Sequence, residues 1–203
     1  DEIITGHEQI MNRHDPKGRV GLIVDEWGTW YDVEPGTNPG FLYQQSTLRD
    51  AQVAALTLNI FNRHASRVVM ANLAQTVNVL QAVILTEGDK MVLTPTYYVF
   101  DLYKAHQEGL LVPSHVETDE SAPGVCRLSA SASRKDNVLT VTVANTSATE
   151  GTEAVISLSG TKPAAAHGRM LAGEMHAKND FDASPVAIQP LADIAIQGDE
   201  VRV

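Results

Sequence analysis

The sequence predicts an α/β segment, residues 1–108, followed by an all-β segment, residues 109–203. Three observations carry the prediction. Val20 to Asp25 and Val68 to Leu73 are short, largely apolar runs, long enough for a strand and too short for a helix. Between them, Thr47 to Ala65 is apolar around much of a helical circumference, through Ala51, Ala54, Ala55, Leu56, Leu58, Ile60 and Phe61. Strand, helix and strand in that order imply a parallel βαβ unit with a right-handed crossover. Near Gly109 helical spacing stops and short alternating runs begin, clearest in Val138-Leu-Thr-Val-Thr-Val143. Short strands separated by Asn, Gly, Ser and Pro turns suggest an antiparallel sandwich.

Taken in order, Ile4 to Arg13 reads as the end of a helix, with Ile4, Ile10 and Met11 among polar neighbours. His14-Asp-Pro-Lys-Gly18 breaks it. Val20 to Asp25 lacks apolar/polar alternation, so it is expected to be covered on both faces, as in a parallel sheet or barrel. Asp32 to Ser46 is a loop containing Pro35, Gly36, Pro39 and Gly40, which Phe41 and Tyr43 are expected to anchor. Thr47 caps the long helix, and Asp50 three residues on brings it close to a capping box. Beyond the second strand, Ala82 to Leu85 and Met91 to Leu93 flank Glu87-Gly-Asp89 as a hairpin or lid. Thr94 as cap and Pro95 in the first turn begin another helix, with a core face of Tyr97, Val99, Phe100, Leu102 and Tyr103, running to about Gln107. The strands expected after it are Leu110 to Val116, Val125 to Ala132, Val138 to Ala144, Ala154 to Leu158, His167 to Leu171, Val186 to Ile188 and Asp193 to Val203.

The chemistry concentrates where the first strand ends. Parallel strands in barrels present reactive groups at their C-terminal ends. Here Asp25-Glu26-Trp27 is followed closely by Trp30 and Tyr31. A buried strand running into a polar turn accounts for the apolar run but leaves two carboxylates and three aromatics unexplained. Gln75 stands just past the end of the second strand, on the same rim as Glu26, where two polar groups can converge on one ligand.

Composition narrows the partners. A net charge of -10 and a pI near 5.0, with no basic run, argue against nucleic acid, whose phosphates need clustered Lys and Arg. No apolar stretch approaches the roughly 20 residues that span a bilayer. The chain starts at Asp1-Glu2 with no basic start and apolar core, so no signal peptide is visible and a processed or excised chain is expected, whether cytoplasmic or exported. A single cysteine, Cys126, allows neither an intrachain disulfide nor a Cys-based metal cluster. The seven histidines lack ligand spacing, so neither metal nor cofactor is expected, and surface or hydrogen-bonded roles are assigned to them. The serine-alanine run from Ser129 to Ser133 reads as strand and turn.

Four motifs carry a resemblance. Val24-Asp-Glu-Trp-Gly-Thr-Trp-Tyr31, Val69-Met-Ala-Asn-Leu-Ala-Gln-Thr-Val-Asn-Val-Leu80, Thr94-Pro-Thr-Tyr-Tyr-Val-Phe100 and Leu171-Ala-Gly-Glu-Met-His-Ala-Lys-Asn-Asp-Phe181 occur in that order. Together they resemble the C-terminal part of an α-L-arabinofuranosidase of glycoside hydrolase family 51. The resemblance implies the last repeats of a (β/α)8 (TIM) barrel, with Val20 to Asp25 and Val68 to Leu73 as its last two strands, then a jelly-roll β-sandwich. It makes Glu26 the catalytic nucleophile, Gln75 a hydrogen-bonding partner of the arabinose ring, and Trp30 a contact of the sugar or leaving group. Asp25 then reads as structural support, because neighbours on a strand point to opposite sides. The implied substrate is an arabinofuranosyl-containing oligo- or polysaccharide, cleaved by a retaining mechanism. That mechanism needs two carboxyls about 5–5.5 Å apart, one attacking the anomeric carbon and one protonating the leaving oxygen.

The second carboxyl is not here. The family's acid/base glutamate belongs to an Asn-Glu pair, and no such pair occurs in the sequence. The chain is therefore expected to supply the nucleophile but not the acid/base, and to hydrolyse little by itself. Its expected partner is the preceding barrel portion, with a homo-oligomer also open. A reading of another class makes the second half a carbohydrate-binding or interaction module. Phe181 is the only aromatic after Gly109, which argues against sugar stacking there.

Overall fold

The computed structural model describes residues 1–203. Helix α1 (Glu2–His14) buries no residue and leads through a turn to strand β1 (Leu22–Trp27). Helix α2 (Leu48–Arg63) follows, then strand β2 (Val68–Leu73), which lies parallel to β1. This is the expected βαβ unit, and β2 matches the run read from sequence at both ends. Strands β3 (Ile84–Glu87) and β4 (Lys90–Leu93) form an antiparallel hairpin, and helix α3 (Pro95–Tyr103) closes the helical part of the chain.

The helices pack on one face of the β1/β2 pair. Ala51 and Ala54 of α2 meet Val99 of α3, and Trp27, Leu48, Leu58, Tyr103 and Leu171 surround them. The small alanines let the two helices approach closely, as ridge-into-groove packing requires. Elsewhere the pair is open: Ile23 and Met70, opposite each other in register, are 49% and 52% exposed, and Val69, on the other side from Met70, is 65% exposed. The expectation that both strand faces are covered is thus corrected for this chain, because only two strands and one helical layer are present to bury them.

Two details hold the unit at its base. The buried Arg67 guanidinium donates to Asn12 Oδ1 at 2.6 and 3.1 Å, to Asp15 Oδ2 at 3.0 Å, and to the carbonyls of Asp15 and Val20 at 2.6 and 2.9 Å. The Val20 N–H and Arg67 together hold the Asp15 carboxyl below the usual carboxylate range. His64 bridges Glu8 and Asp1 at 2.9 and 2.7 Å, a hydrogen-bonded role as expected.

Beyond His106 the chain forms only strands: β5 (Leu110–Val112), β6 (Glu120–Ala122), β7 (Val125–Cys126), β8 (Leu128–Lys135), β9 (Val138–Asn145), β10 (Val155–Ser157), β11 (Arg169–Met170), β12 (Gln189–Pro190), β13 (Ala195–Gln197) and β14 (Glu200–Arg202). All pair antiparallel, in the sheets β5-β8-β9 and β10-β14-β13 and the ribbons β6-β7 and β11-β12. Strand β6 was not anticipated, and the pairing expected near Val186 to Ile188 falls instead on Gln189–Pro190. Such two- and three-residue strands carry too few side chains to show alternation.

Helix α2 docks on the first of these sheets through Asn59, which is fully buried. Its Oδ1 accepts from the hydroxyls of Tyr103, Ser131 and Thr142, each at 2.9 Å, and its Nδ2 donates to the Ser129 carbonyl at 3.0 Å. His106 joins the network through Ser133 Oγ at 2.7 Å and Thr142 Oγ1 at 3.1 Å. Burial raises the Tyr103 phenol and lowers the His106 imidazole relative to their ordinary values. The serine-alanine run thus becomes β8, with Ser129 and Ser131 turned toward α2 and Ser133 toward His106.

A later segment returns to the start of α2. The N–H groups of Leu48 and Arg49, which lack partners within the helix, donate to the carbonyls of Ala177 and Met175, each at 2.9 Å. Asn179, also buried, donates to the carbonyls of Leu93 and Val186 at 2.9 and 2.7 Å and accepts from the Val186 N–H. The motif Leu171 to Phe181 thereby reaches the rim on which β1 ends.

Candidate functional site

Strand β1 carries its acids to that rim with a change of phase. Val24 faces Ala71 and Trp27 faces Leu73, so three steps on β1 oppose two on β2. The extra residue is a bulge at Asp25-Glu26, a device that re-aims side chains at sheet ends. Strict alternation therefore does not separate the two acids: both are exposed, and neither carboxylate has a hydrogen-bond or ion-pair partner within the chain. The structural support assigned to Asp25 has no contact here to rest on.

Trp27 anchors the strand tip from the helical side. Its ring lies edge-on to Phe61 at 5.5 Å between centroids and stacks near Phe100 at 6.2 Å. This residue packs rather than lines the site. Gly28 follows with φ 141°, and a Cβ placed there would stand 3.0 Å from Gln81 Oε1 and 3.4 Å from the Ala74 carbonyl. Glycine is what lets the chain turn this close to the loop after β2.

The Ala74 N–H donates to the Trp27 carbonyl at 2.9 Å, extending the pairing of the two chains past the end of β2. Gln75 comes next, beyond a cis Ala74–Gln75 peptide, and its side chain is exposed. Trp30 stands 65% exposed on the loop leaving β1. Glu26, Gln75 and Trp30 thus lie on one rim of the same strand pair, as their places in sequence lead one to expect. All three side chains are free of protein hydrogen bonds.

Below this rim lies a buried polar cluster that sequence reasoning missed. Thr29 donates through its hydroxyl to Asp50 Oδ1 at 2.7 Å and through its N–H to Gln81 Oε1 at 2.9 Å. The other Asp50 oxygen accepts from the N–H and hydroxyl of Thr47 at 2.8 and 3.0 Å, the helix-start arrangement expected of this pair. Gln81 Nε2 donates to the Asp50 carbonyl at 2.7 Å. Gln44 accepts from the Tyr31 N–H at 2.8 Å, and the Arg49 guanidinium covers the Tyr31 ring at 3.8 Å. A carboxylate beside Ala51 and Ala54, on the packed face of α2, was the one available signal. Gln44 and Gln81 gave none, since their partners are distant in sequence.

The surrounding loop is ordered unevenly. Tyr43 packs against Ala82, Leu85 and Val92 and anchors the loop as expected. Phe41 does not: it is 69% exposed, at the end of a short 3-10 turn closed by Leu42 in the left-handed conformation. Thr94 also departs from expectation, because its hydroxyl donates to the carbonyls of Ala82 and Val83 at 2.7 and 3.1 Å instead of capping α3.

Comparison with known proteins gives a consistent answer. A family model for the α-L-arabinofuranosidase C-terminal domain matches residues 25–203. An intracellular exo-α-L-arabinofuranosidase of Bacteroides ovatus is 43% identical over 196 residues, covering 94% of this chain and 38% of that protein. The crystal structure of a glycoside hydrolase family 51 arabinofuranosidase from Xanthomonas axonopodis pv. citri matches at 43% identity with a TM-score of 0.91, covering 100% of this chain and 42% of that one. The thermostable family 51 α-L-arabinofuranosidase from Thermotoga petrophila matches at 25% identity with a TM-score of 0.81, covering 100% and 45%. The chain therefore spans well under half the length of these relatives. It belongs to the α-L-arabinofuranosidase C-terminal domain family, within the glycoside hydrolase family 51 arabinofuranosidases.

Proposed function

We propose that this chain is part of a larger retaining glycosidase that removes terminal α-L-arabinofuranosyl residues from arabinan- or arabinoxylan-type glycans, and that Glu26 is its nucleophile. The observation that carries the reading is an unpartnered carboxylate on a bulged, anchored strand end, inside the region that the family model matches. In the complete enzyme β1 and β2 would be the last two strands of a (β/α)8 barrel, and residues 109–203 most of a jelly-roll sandwich. The exposed, register-paired Ile23 and Met70 support this, since closed barrels fill their interior with such side chains.

Glu26 would attack the anomeric carbon from one side while a carboxylic acid outside this chain protonates the departing oxygen. The glycosyl–carboxylate ester is then hydrolysed by water, which the same outside residue deprotonates. Gln75 would hydrogen-bond the arabinose ring, and Trp30 would offer an apolar face to the sugar or leaving group. Asp25 supplies no step.

The test is Glu26→Ala in the complete enzyme. Turnover of an aryl α-L-arabinofuranoside should fall at least about a thousandfold, with the circular dichroism spectrum unchanged. Added azide should restore release of the aryl group as a glycosyl azide of inverted configuration. Retained turnover would remove Glu26 from the role.

A further inference from the structure

Resting on that reading, we infer that Thr29, Gln44, Asp50 and Gln81 are positioning residues: they clamp the loop on both sides of Trp30 and so present its indole to the substrate. Trp30 makes no hydrogen bond of its own and is the most exposed side chain of the Thr29-Trp30-Tyr31 segment. Its two neighbours are fixed. Thr29 is held by Asp50 Oδ1 at 2.7 Å and Gln81 Oε1 at 2.9 Å. Tyr31 is held by Gln44 at 2.8 Å through its N–H and by the Arg49 guanidinium over its ring.

The two anchors form one structure. Gln44 Nε2 lies 3.3 Å from Thr29 Oγ1 and 3.4 Å from the Thr29 carbonyl. Asp50 and Gln81 are fully buried, Gln44 and Thr29 nearly so. Gln81 Nε2 donates to the Asp50 carbonyl at 2.7 Å, while the Asp50 carboxylate also caps α2 through Thr47. The loop after β1, the start of α2 and the loop after β2 are therefore bolted together beneath the rim. A buried polar cluster this fully connected has a single low-energy arrangement, because each unmade bond inside it costs the desolvation of its group. A loop aromatic set between two such anchors is pre-organised, so little ordering is left for substrate binding to supply.

The experiment is a double-mutant cycle in the complete enzyme with an aryl α-L-arabinofuranoside. Thr29→Val keeps the side-chain shape and removes the hydroxyl. It should raise KM about tenfold while leaving kcat within about threefold, the signature of lost uniform binding. Thr29→Ser, which restores the hydroxyl, should return KM to within about twofold of wild type. Combining Thr29→Val with Trp30→Ala should add nothing to Trp30→Ala alone, because the clamp acts through that indole. If Thr29→Val does not fold, Gln44→Met, which loosens the Tyr31 side, carries the same cycle. Wild-type kinetics in the folded clamp variants, or effects that add fully to Trp30→Ala, would overturn the clamp alone. An unchanged KM in Trp30→Ala would overturn the Trp30 assignment and the clamp with it, whatever Glu26→Ala does.

Discussion

Replacing Asn59 by leucine tests how the helical part of the chain is fastened to the sheet of β5, β8 and β9. The branching is kept while both polar atoms become methyls, so the hydrogen bonds are lost, and the extra bulk of the methyls adds to the cost. Asn59 Oδ1 accepts three hydroxyls and Nδ2 serves the Ser129 carbonyl. Tyr103 keeps a second acceptor in the Ala55 carbonyl at 2.9 Å, and Ser131 and Thr142 lie 3.0 Å apart, so one of these two can donate to the other. One hydroxyl hydrogen and the bond to the Ser129 carbonyl are then lost without replacement. At roughly 1–3 kcal/mol for each buried group left unpaired, the loss is about 4 kcal/mol. In a protein more than twice this length about 1–2 °C accompanies each kcal/mol, which puts the fall in Tm at roughly 4–8 °C. Differential scanning fluorimetry on the complete enzyme reads it, with Asn62→Ala as control. Asn62 makes a single bond to Ser131 Oγ at 3.0 Å and should cost about 1 kcal/mol. A drop in Asn59→Leu no larger than that of Asn62→Ala would refute the reasoning.

Two further outcomes follow from groups in the same framework. The lowered His106 imidazole means that the folded chain resists its protonation, so its contribution to stability is full above the unfolded value of 6.5 and is lost as pH falls below it. The fall in Tm between pH 7.5 and 5.5 should accordingly be smaller in His106→Gln than in the wild type, and an equal fall would contradict this. Arg67→Ala removes the donor shared by Asn12, Asp15 and the Val20 carbonyl, while Asp15 keeps the Val20 N–H, and the loss of a buried guanidinium's hydrogen bonds should cost about 2–3 kcal/mol. Urea denaturation should show it, and a midpoint within error of wild type would refute it.

What could be read from the sequence was local. Val68 to Leu73 declares itself through an apolar run bounded by polar residues, and Thr47 with Asp50 announces a helix start because the interaction spans three residues. Alternation in Val138 to Val143 made β9 legible for the same reason. What could not be read depends on register or on partners far along the chain. The bulge at Asp25-Glu26 exists only relative to β2, so no inspection of β1 reveals that strand alternation fails where it matters. Gln81 meets Thr29 across 52 residues, and neither has a pattern that names the other. Thr94 looked like a cap and instead spends its hydroxyl on the hairpin, a choice fixed by tertiary packing. The open face of β1 and β2 was hidden by composition: an apolar run implies a cover, and the cover need not belong to the same chain. The site residues themselves were reached through motif resemblance together with their place at strand ends, and the support beneath them emerged only in three dimensions.

The central claim is that Glu26 forms the bond to the sugar. Its most direct test is to inactivate the complete enzyme with an aryl 2-deoxy-2-fluoro-α-L-arabinofuranoside, digest it, and locate the added glycosyl mass by tandem mass spectrometry. A single adduct is expected on the peptide containing Val24-Asp-Glu-Trp27, with the fragment ions assigning it to Glu26. An adduct on Asp25, or on a carboxylate outside this stretch, would contradict it.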